Sequence, residues 1–313
     1  MNGVGATKKP FLSSAKGVLV LSRIPFLSPG VASLVTGFSI AIAEGHDPSW
    51  GLIWLSVGGI ILIMLATYYF NEYFDYEGDL INSTFTVFSG GSRALPDRMV
   101  GRPVARTAGL ASVFLLVVMA VAYLLFYFSD YPLLLPLALF GAFCGIFYSH
   151  PPFQWAYRGI GELVIGGCYG ILAVVSGFYL ASGVLDARMI VVALPASVTI
   201  WGVIVANEFP DIEADRAVRK RTMVVRLGLE RAGKVFAAAI ALSYPLMLIT
   251  VLVGMSYWVA VVGLPVLALS AIASALALKR AYETPAGQTK IAGCVLLANL
   301  LSSLLFIPVA VMW

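Results

Sequence analysis

The sequence predicts an all-α, polytopic membrane protein: nine transmembrane helices in a bundle around a central cavity, with the N-terminus inside and the C-terminus outside. Three observations carry this reading. Of the 313 residues, 60% are hydrophobic and 12% charged, about half the charged share of a soluble domain. Apolar runs approaching the ~20 residues that a helix needs to cross a bilayer recur along most of the chain. The basic residues between those runs also collect on one side.

Bounded by their breakers, the runs fall near 24–43, 51–72, 105–128, 131–149, 160–182, 188–208, 233–254, 257–278 and 290–312. The first begins beyond Arg23 and stops before Glu44-Gly45. The second is GLIWLSVGGIILIMLATYYF, and the third comes after Gly101-Arg102-Pro103. The fourth lies between Asp130 and the turn YSHPP, and the fifth runs from GIGE to Gly183. The sixth leads into NEFPDIEAD, the seventh and eighth flank Gly254, and the ninth starts at Lys290. Short cytoplasmic loops carry the excess Lys and Arg. With the N-terminus inside, 19 of the 20 Lys and Arg fall on the cytoplasmic side, Arg188 being the exception.

The polar remainder is small, so no soluble domain is left over and the chain is a single domain, 1–313. The leading MNGVGATKKPFLSSAK is polar and basic, without the short apolar core and cleavage site of a removable signal peptide. Cys144, Cys168 and Cys294 lie inside apolar runs without metal-type spacing and read as small buried hydrophobes.

The stretch NEYFDYEGD, Asn71 to Asp79, closes the second run, and NEFPDIEAD, Asn207 to Asp215, closes the sixth with the same N-x-x-x-D-x-x-x-D spacing. The chain therefore divides into two related halves, about 17–149 and 151–278, plus a ninth helix at 290–312. Residues four apart on a helix share one stripe, so Asn71, Asp75 and Asp79 face one way, as do Asn207, Asp211 and Asp215. Pro210 is expected to distort or unwind the second copy. Both motifs sit at helix C-termini, where the dipole disfavours carboxylates, so capping does not explain them. Four carboxylates facing one cavity repel unless a cation intervenes. Oxygen ligands without His or Cys suit magnesium, which shares carboxylates with substrate phosphates.

The adjoining loops supply the opposite charge. FSGGSRALPDRMVGRP offers the backbone of Gly90, Gly91 and Ser92 as an anion cradle, beside Arg93, Arg98 and Arg102. RAVRKRTMVVRLG adds Arg219, Lys220, Arg221 and Arg226. Acidic ligands, basic side chains and an apolar interior describe a substrate with a diphosphate head and a hydrocarbon tail.

At these residues the sequence resembles the UbiA superfamily of intramembrane prenyltransferases over nearly its whole length. NEYFDYEGD matches the family's first aspartate-rich motif, and DIEADRAVRKRTMVVRLG resembles its second. Arg23-Ile-Pro-Phe-Leu, Gly101-Arg102-Pro103 and YSHPP resemble further family landmarks. Glu208 and Pro210 depart from the usual second motif. The resemblance implies that Asp75, Asp79, Asp211 and Asp215 hold magnesium ions, two in number, bridging a polyprenyl diphosphate. It also implies that Asn71 and Asn207 assist, that Lys220, Arg221, Arg93 and Arg102 neutralise the departing diphosphate, and that Tyr148 faces the allylic cation.

AYRGIGELVIGG, Ala156 to Gly167, resembles the Tyr-Arg-Gly-Leu-Gly-Glu stretch of the dihydroxynaphthoate branch, the menaquinone pathway. That makes 1,4-dihydroxy-2-naphthoate the first-choice aromatic acceptor, with Glu162 placed to orient or deprotonate its hydroxyl. The alternatives are 4-hydroxybenzoate, homogentisate or geranylgeranylglyceryl phosphate as acceptor, or a cation-coupled transporter. The expected partners are the two substrates and membrane lipid, with no nucleic acid and no obligate protein partner. The active site is expected on the cytoplasmic face of a multi-pass membrane protein. His46 and His150 are not assigned to the site, and Asn299 is expected to bond a neighbouring helix.

Overall fold

The structure, a computed structural model, describes residues 11–307, with side chains from residue 15 onward. Its described residues form helices and turns and no strand. In chain order the helices are α1 (Phe11–Leu21), α2 (Ser28–Ala43), α3 (Trp50–Phe74), α4 (Tyr76–Ile81), α5 (Arg102–Phe126) and α6 (Leu134–Ile146). The next run is α7 (Gly161–Ile165), a π-helical turn (Gly166–Leu172) and α8 (Ala173–Ser182). Then come α9 (Arg188–Ala217), α10 (Met223–Leu227), α11 (Leu229–Ala241), α12 (Ser243–Ile249), α13 (Val259–Val262), α14 (Leu264–Leu278) and α15 (Pro285–Leu304).

Each of the nine sequence-predicted runs contains helix, and seven helical stretches are long and apolar enough to cross a membrane. The first of these, Ala15–Ala43, joins α1 and α2 through a break where Arg23 adopts a left-handed φ of 44° ahead of Pro25. Two runs differ from expectation for physical reasons. Helix α6 has 13 residues, about 20 Å at 1.5 Å per residue, short of a full span. Helix α15 has 20 residues but carries Lys290, Asn299, Ser302 and Ser303, which dilute its hydropathy. Residues 308–312 of the ninth run lie outside the described residues, as do residues 1–10 of the polar leader.

Packing is organised around α9, which runs against α15, the π turn and α12. Helices α2 and α8 pack along one another, as do α3 and α5. One buried cluster (Val203, Phe209, Phe236, Ile240, Val295) fills the space between α9, α11 and α15. A second (Ile40, Val174, Phe178, Met189, Met247) ties α2 to α8, α9 and α12. Polar contacts inside the bundle also tie helices together. Asn299 Nδ2 donates to Ala196 O and Thr199 Oγ1, each at 3.0 Å, so it bonds a neighbouring helix. Leu110, Phe114, Val117, Val121 and Leu125 leave one face of α5 exposed and apolar, a surface that hydrocarbon solvates and water does not.

Candidate active site

Both acidic motifs lie at the same end of the bundle, but their helices behave opposite to expectation. Helix α3 stops at Phe74, and Asp75 (φ −84°, ψ 0°) bridges it to α4. The helical hydrogen bonds nevertheless persist through the bridge: Asp75 N donates to Asn71 O at 2.8 Å and Asp79 N to Asp75 O at 3.0 Å. Asn71, Asp75 and Asp79 thus keep one stripe. The second motif is unbroken, since α9 continues through both Pro195 and Pro210 to Ala217. Packing on two sides holds α9 helical where Pro210 alone would favour a kink.

The motifs meet through Lys220. Its Nζ donates to Asp75 Oδ2 at 2.9 Å and lies 3.8 Å from Asp215 Oδ1. Burial opposes the ammonium charge, but Asp75 and Asp215 outweigh it and hold the group well above the ordinary lysine range. Tyr157, which the sequence did not single out, donates its hydroxyl to Asp75 Oδ1 at 2.9 Å. Asp211 accepts from Asn82 Nδ2 at 2.7 Å and from Gly90 N at 3.2 Å. Asn71 accepts from Ser149 Oγ, which brings the YSHPP turn and Tyr148 beside the first motif.

The glycine cradle also differs. Gly90 and Gly91 both take φ 72°, but the N–H of Gly90 serves Asp211 and the N–H of Ser92 serves Glu72 at 2.6 Å. A side chain at Gly91 would run into the Asp79 carboxylate, so this wall of the cleft requires glycine. Glu72 is a second residue that sequence reasoning missed. It is 1% exposed, accepts from Arg23 Nε at 2.9 Å and from Ser92 Oγ at 2.8 Å, and so fastens the loop to the α1–α2 break. A carboxylate inside an apolar helix turn was its signal.

Other proposed residues lie elsewhere. Arg102 sits at the start of α5, donates to Tyr73 O at 3.0 Å and stacks over the Tyr73 ring, so its guanidinium is engaged locally. Arg221 is exposed, next to inward-facing Lys220. Arg93 bonds the Asp79 carbonyl and stacks over Phe85 at 4.2 Å, bordering the cleft without entering a carboxylate pair of the motifs. Glu162 does not reach water: it is 4% exposed and accepts from Met223 N at 2.6 Å beside Glu208. It anchors the start of α10.

Beneath the cleft lies an apolar cavity of about 180 Å³. Its inner end is lined by Met64, Thr67, Gly145, Ile165 and Tyr169, and its far end by Leu55, Tyr123, Leu134 and Leu180. Cys144 and Cys168 also line it. Leu55 and Thr67, twelve steps apart on α3, are separated by about 18 Å along the helix. Thr67 is one turn before Asn71, so the stripe that lines the cavity continues directly into the acidic motif.

The donor set, carboxylate and amide oxygens of Asp and Asn, is of the kind that magnesium takes. Asn207 Oδ1 is buried without a partner, an unusual state for an amide oxygen that a cation or its water would relieve. Among the described residues no three His, Cys, Asp or Glu converge into a ready-made metal cage. Burial, with Glu72 and Asp75 nearby, pushes the Asp79 carboxyl up to about 8. A raised carboxyl favours the fold while protonated, so its contribution is present at lower pH and fades as pH rises through about 8. A cation takes only the carboxylate and releases that proton. Were these carboxylates to take up added magnesium, the thermal stabilisation it gives would grow as pH rises toward about 8 and then level off. Melting scans of detergent-solubilised protein across that range test this, and a flat response would contradict it.

The sequence matches the UbiA prenyltransferase family over residues 31–307. It is 28% identical over 182 residues to a 1,4-dihydroxy-2-naphthoate octaprenyltransferase of Bacillus subtilis, covering 58% of this chain and 57% of that one. It is 30% identical over 207 residues to a protein of the same description from Mycobacterium leprae, covering 64% of this chain and 66% of that one. The chain thus matches somewhat less than two thirds of each curated relative's length. Among solved structures, a UbiA homolog from Archaeoglobus fulgidus bound to DMAPP and Mg2+ aligns with a TM-score of 0.64 at 15% identity, over 93% of this chain and 96% of that one. At that identity the likeness is one of fold.

Proposed function

The chain belongs to the UbiA prenyltransferase family, and from that premise we propose that it transfers a prenyl chain from a polyprenyl diphosphate to 1,4-dihydroxy-2-naphthoate. The observation that carries the reading is the single α3 stripe on which Thr67 lines an apolar cavity while Asn71 and Asp75 enter the acidic cleft. Tail and head of one amphiphile would occupy adjoining spaces.

In this reading Asp75, Asp79, Asp211 and Asp215 hold the magnesium ions, with Asn71 and Asn207 assisting. Bound magnesium would offset the diphosphate charge and make it a better leaving group. Lys220 exchanges its carboxylate partners for the departing diphosphate, and Arg93 adds positive charge at the rim. Breaking the allylic C–O bond sends both electrons out with the diphosphate. The Tyr148 ring faces the cation that remains. The aromatic acceptor attacks it and recovers its aromaticity by losing a proton or carbon dioxide. The acceptor rests on the AYRGIGE stretch and on the descriptions of the two curated relatives.

We further place the protein in the membrane as a single domain, 1–313, with nine spans around the central cavity. The N-terminus is inside, the C-terminus outside and the cleft on the cytoplasmic face. The basic loops support this.

The test incubates purified protein in lipid with geranylgeranyl diphosphate, magnesium and four acceptors in parallel. These are dihydroxynaphthoate, hydroxybenzoate, homogentisate and geranylgeranylglyceryl phosphate, with products read by mass spectrometry. A prenylated product from dihydroxynaphthoate is expected. A product from another acceptor alone would reassign the substrate. No product and no diphosphate release with any acceptor would overturn the reading.

A further inference from the structure

We propose that Tyr169 is a further catalytic residue of the transfer: a π-helical turn holds its ring face at the point where the cation forms. The inference rests on the prenyl-transfer reading above.

The turn Gly166–Leu172 interrupts the α7–α8 helix. A π turn is rare inside an α-helix, and such turns are frequent at functional sites. Here close packing on α9 accommodates it. A side chain at Gly170 would collide with Ser197, and one at Gly166 would press on Ser197 O at 3.2 Å. One extra residue in a helix rotates the succeeding side chains by about 100°, enough to decide whether a side chain enters the cavity or the bundle wall. Tyr169 lines the cavity.

Its ring is fixed at the far end. Tyr169 OH donates to Tyr68 OH at 3.3 Å, and Tyr68 OH donates to Phe26 O at 2.7 Å. The Tyr169 hydroxyl proton is thus engaged by Tyr68, which leaves the ring face as the feature offered to a ligand.

Its place in the cavity gives that face a use. Tyr169 lines the inner end with Thr67 and Ile165, and it packs against the same buried cluster as Tyr148. Thr67 lies one turn before Asn71, and Asn71 is bonded to Ser149, the neighbour of Tyr148. Tyr148 from the cleft side and Tyr169 from the cavity side therefore bracket the junction between head space and tail space. In an allylic diphosphate that junction is the first carbon of the chain. When its C–O bond breaks, the electron pair leaves with the diphosphate and the first allylic unit carries the positive charge. An aromatic face in a dry site stabilises such a charge.

The experiment replaces Tyr169 with Phe, with mono-, di- and trifluorinated phenylalanine, and with Leu. Fluorine withdraws electron density from the ring face at nearly constant shape, so a packing role would not respond to it. Tyr169→Phe is expected to keep most of the rate. The fluorinated series should then lose rate stepwise, and Tyr169→Leu should fall by roughly ten- to thirtyfold, with donor KM and melting temperature steady throughout. A rate indifferent to fluorination, or a Leu variant as active as Phe, would overturn the proposal. Absence of transfer by the unmodified protein would defeat the prenyl-transfer reading itself. Transfer with a flat series would defeat this inference alone.

Discussion

Asp75→Ala and Asp211→Ala, made separately, are each expected to lower kcat/KM for prenyl transfer by roughly a hundred- to a thousandfold in a protein that still folds. The two sites sit on different helices, α3–α4 and α9, and Lys220 bridges the cleft between them. A metal-bridged diphosphate needs ligands from both sides, so losing either one uncouples the pair. The fold should survive Asp75→Ala because Lys220 retains Asp215. Asp211→Ala releases Asn82 and Gly90, so Asp211→Asn, which keeps an acceptor oxygen for them, separates loop loosening from ligand loss. Asp186→Ala, which breaks an ion pair with Arg188 far along the chain, should leave activity intact. Steady-state diphosphate release reads all four variants. Less than a tenfold loss in both Ala variants would remove the paired-motif mechanism.

Glu72→Ala is expected to destabilise the protein by about 3–5 kcal/mol, the usual cost of removing one partner from a buried ion pair. The Glu72 side chain is fully buried and its partner Arg23 is 24% exposed, so the guanidinium would be left largely dry and unpaired. The same change frees Ser92 N and Oγ, so the Gly90–Ser92 wall behind Asp79 loosens and activity falls with stability. Glu72→Gln should be intermediate, because an amide oxygen still accepts from Ser92 but does not neutralise Arg23. Thermal unfolding in detergent measures this, and an unchanged midpoint in Glu72→Ala would contradict it.

Much of the fold was legible because bilayer solvation writes itself into composition: each apolar run became helix. That Asp75, Asp215 and Lys220 share one end of the bundle was legible for a similar reason, since charge beside an apolar run is costly without a partner. The features that escaped the sequence depend on direction. Lys220 and Arg221 are neighbours, yet one faces the cleft and the other solvent. Glu72 was overshadowed by the i,i+4 stripe one position away, although it is the more deeply buried acid. Glu162 resembled an acceptor-facing carboxylate, but the return of the chain at Met223 claims it. Pro210 promised a kink that tertiary packing suppressed, while the break came at Asp75. The π turn has no clear sequence signal beyond three glycines, Gly166, Gly167 and Gly170.

The most direct measurement is an experimental structure of the protein with magnesium and geranylgeranyl thiodiphosphate, whose C–S bond resists ionisation. The diphosphate is expected between Asp75–Asp79 and Asp211–Asp215, with Lys220 turned onto it and the tail running past Thr67 and Tyr169 into the cavity. A diphosphate bound away from both motifs, or a tail lying outside the cavity, would contradict the assignment of this cleft as the site of prenyl transfer.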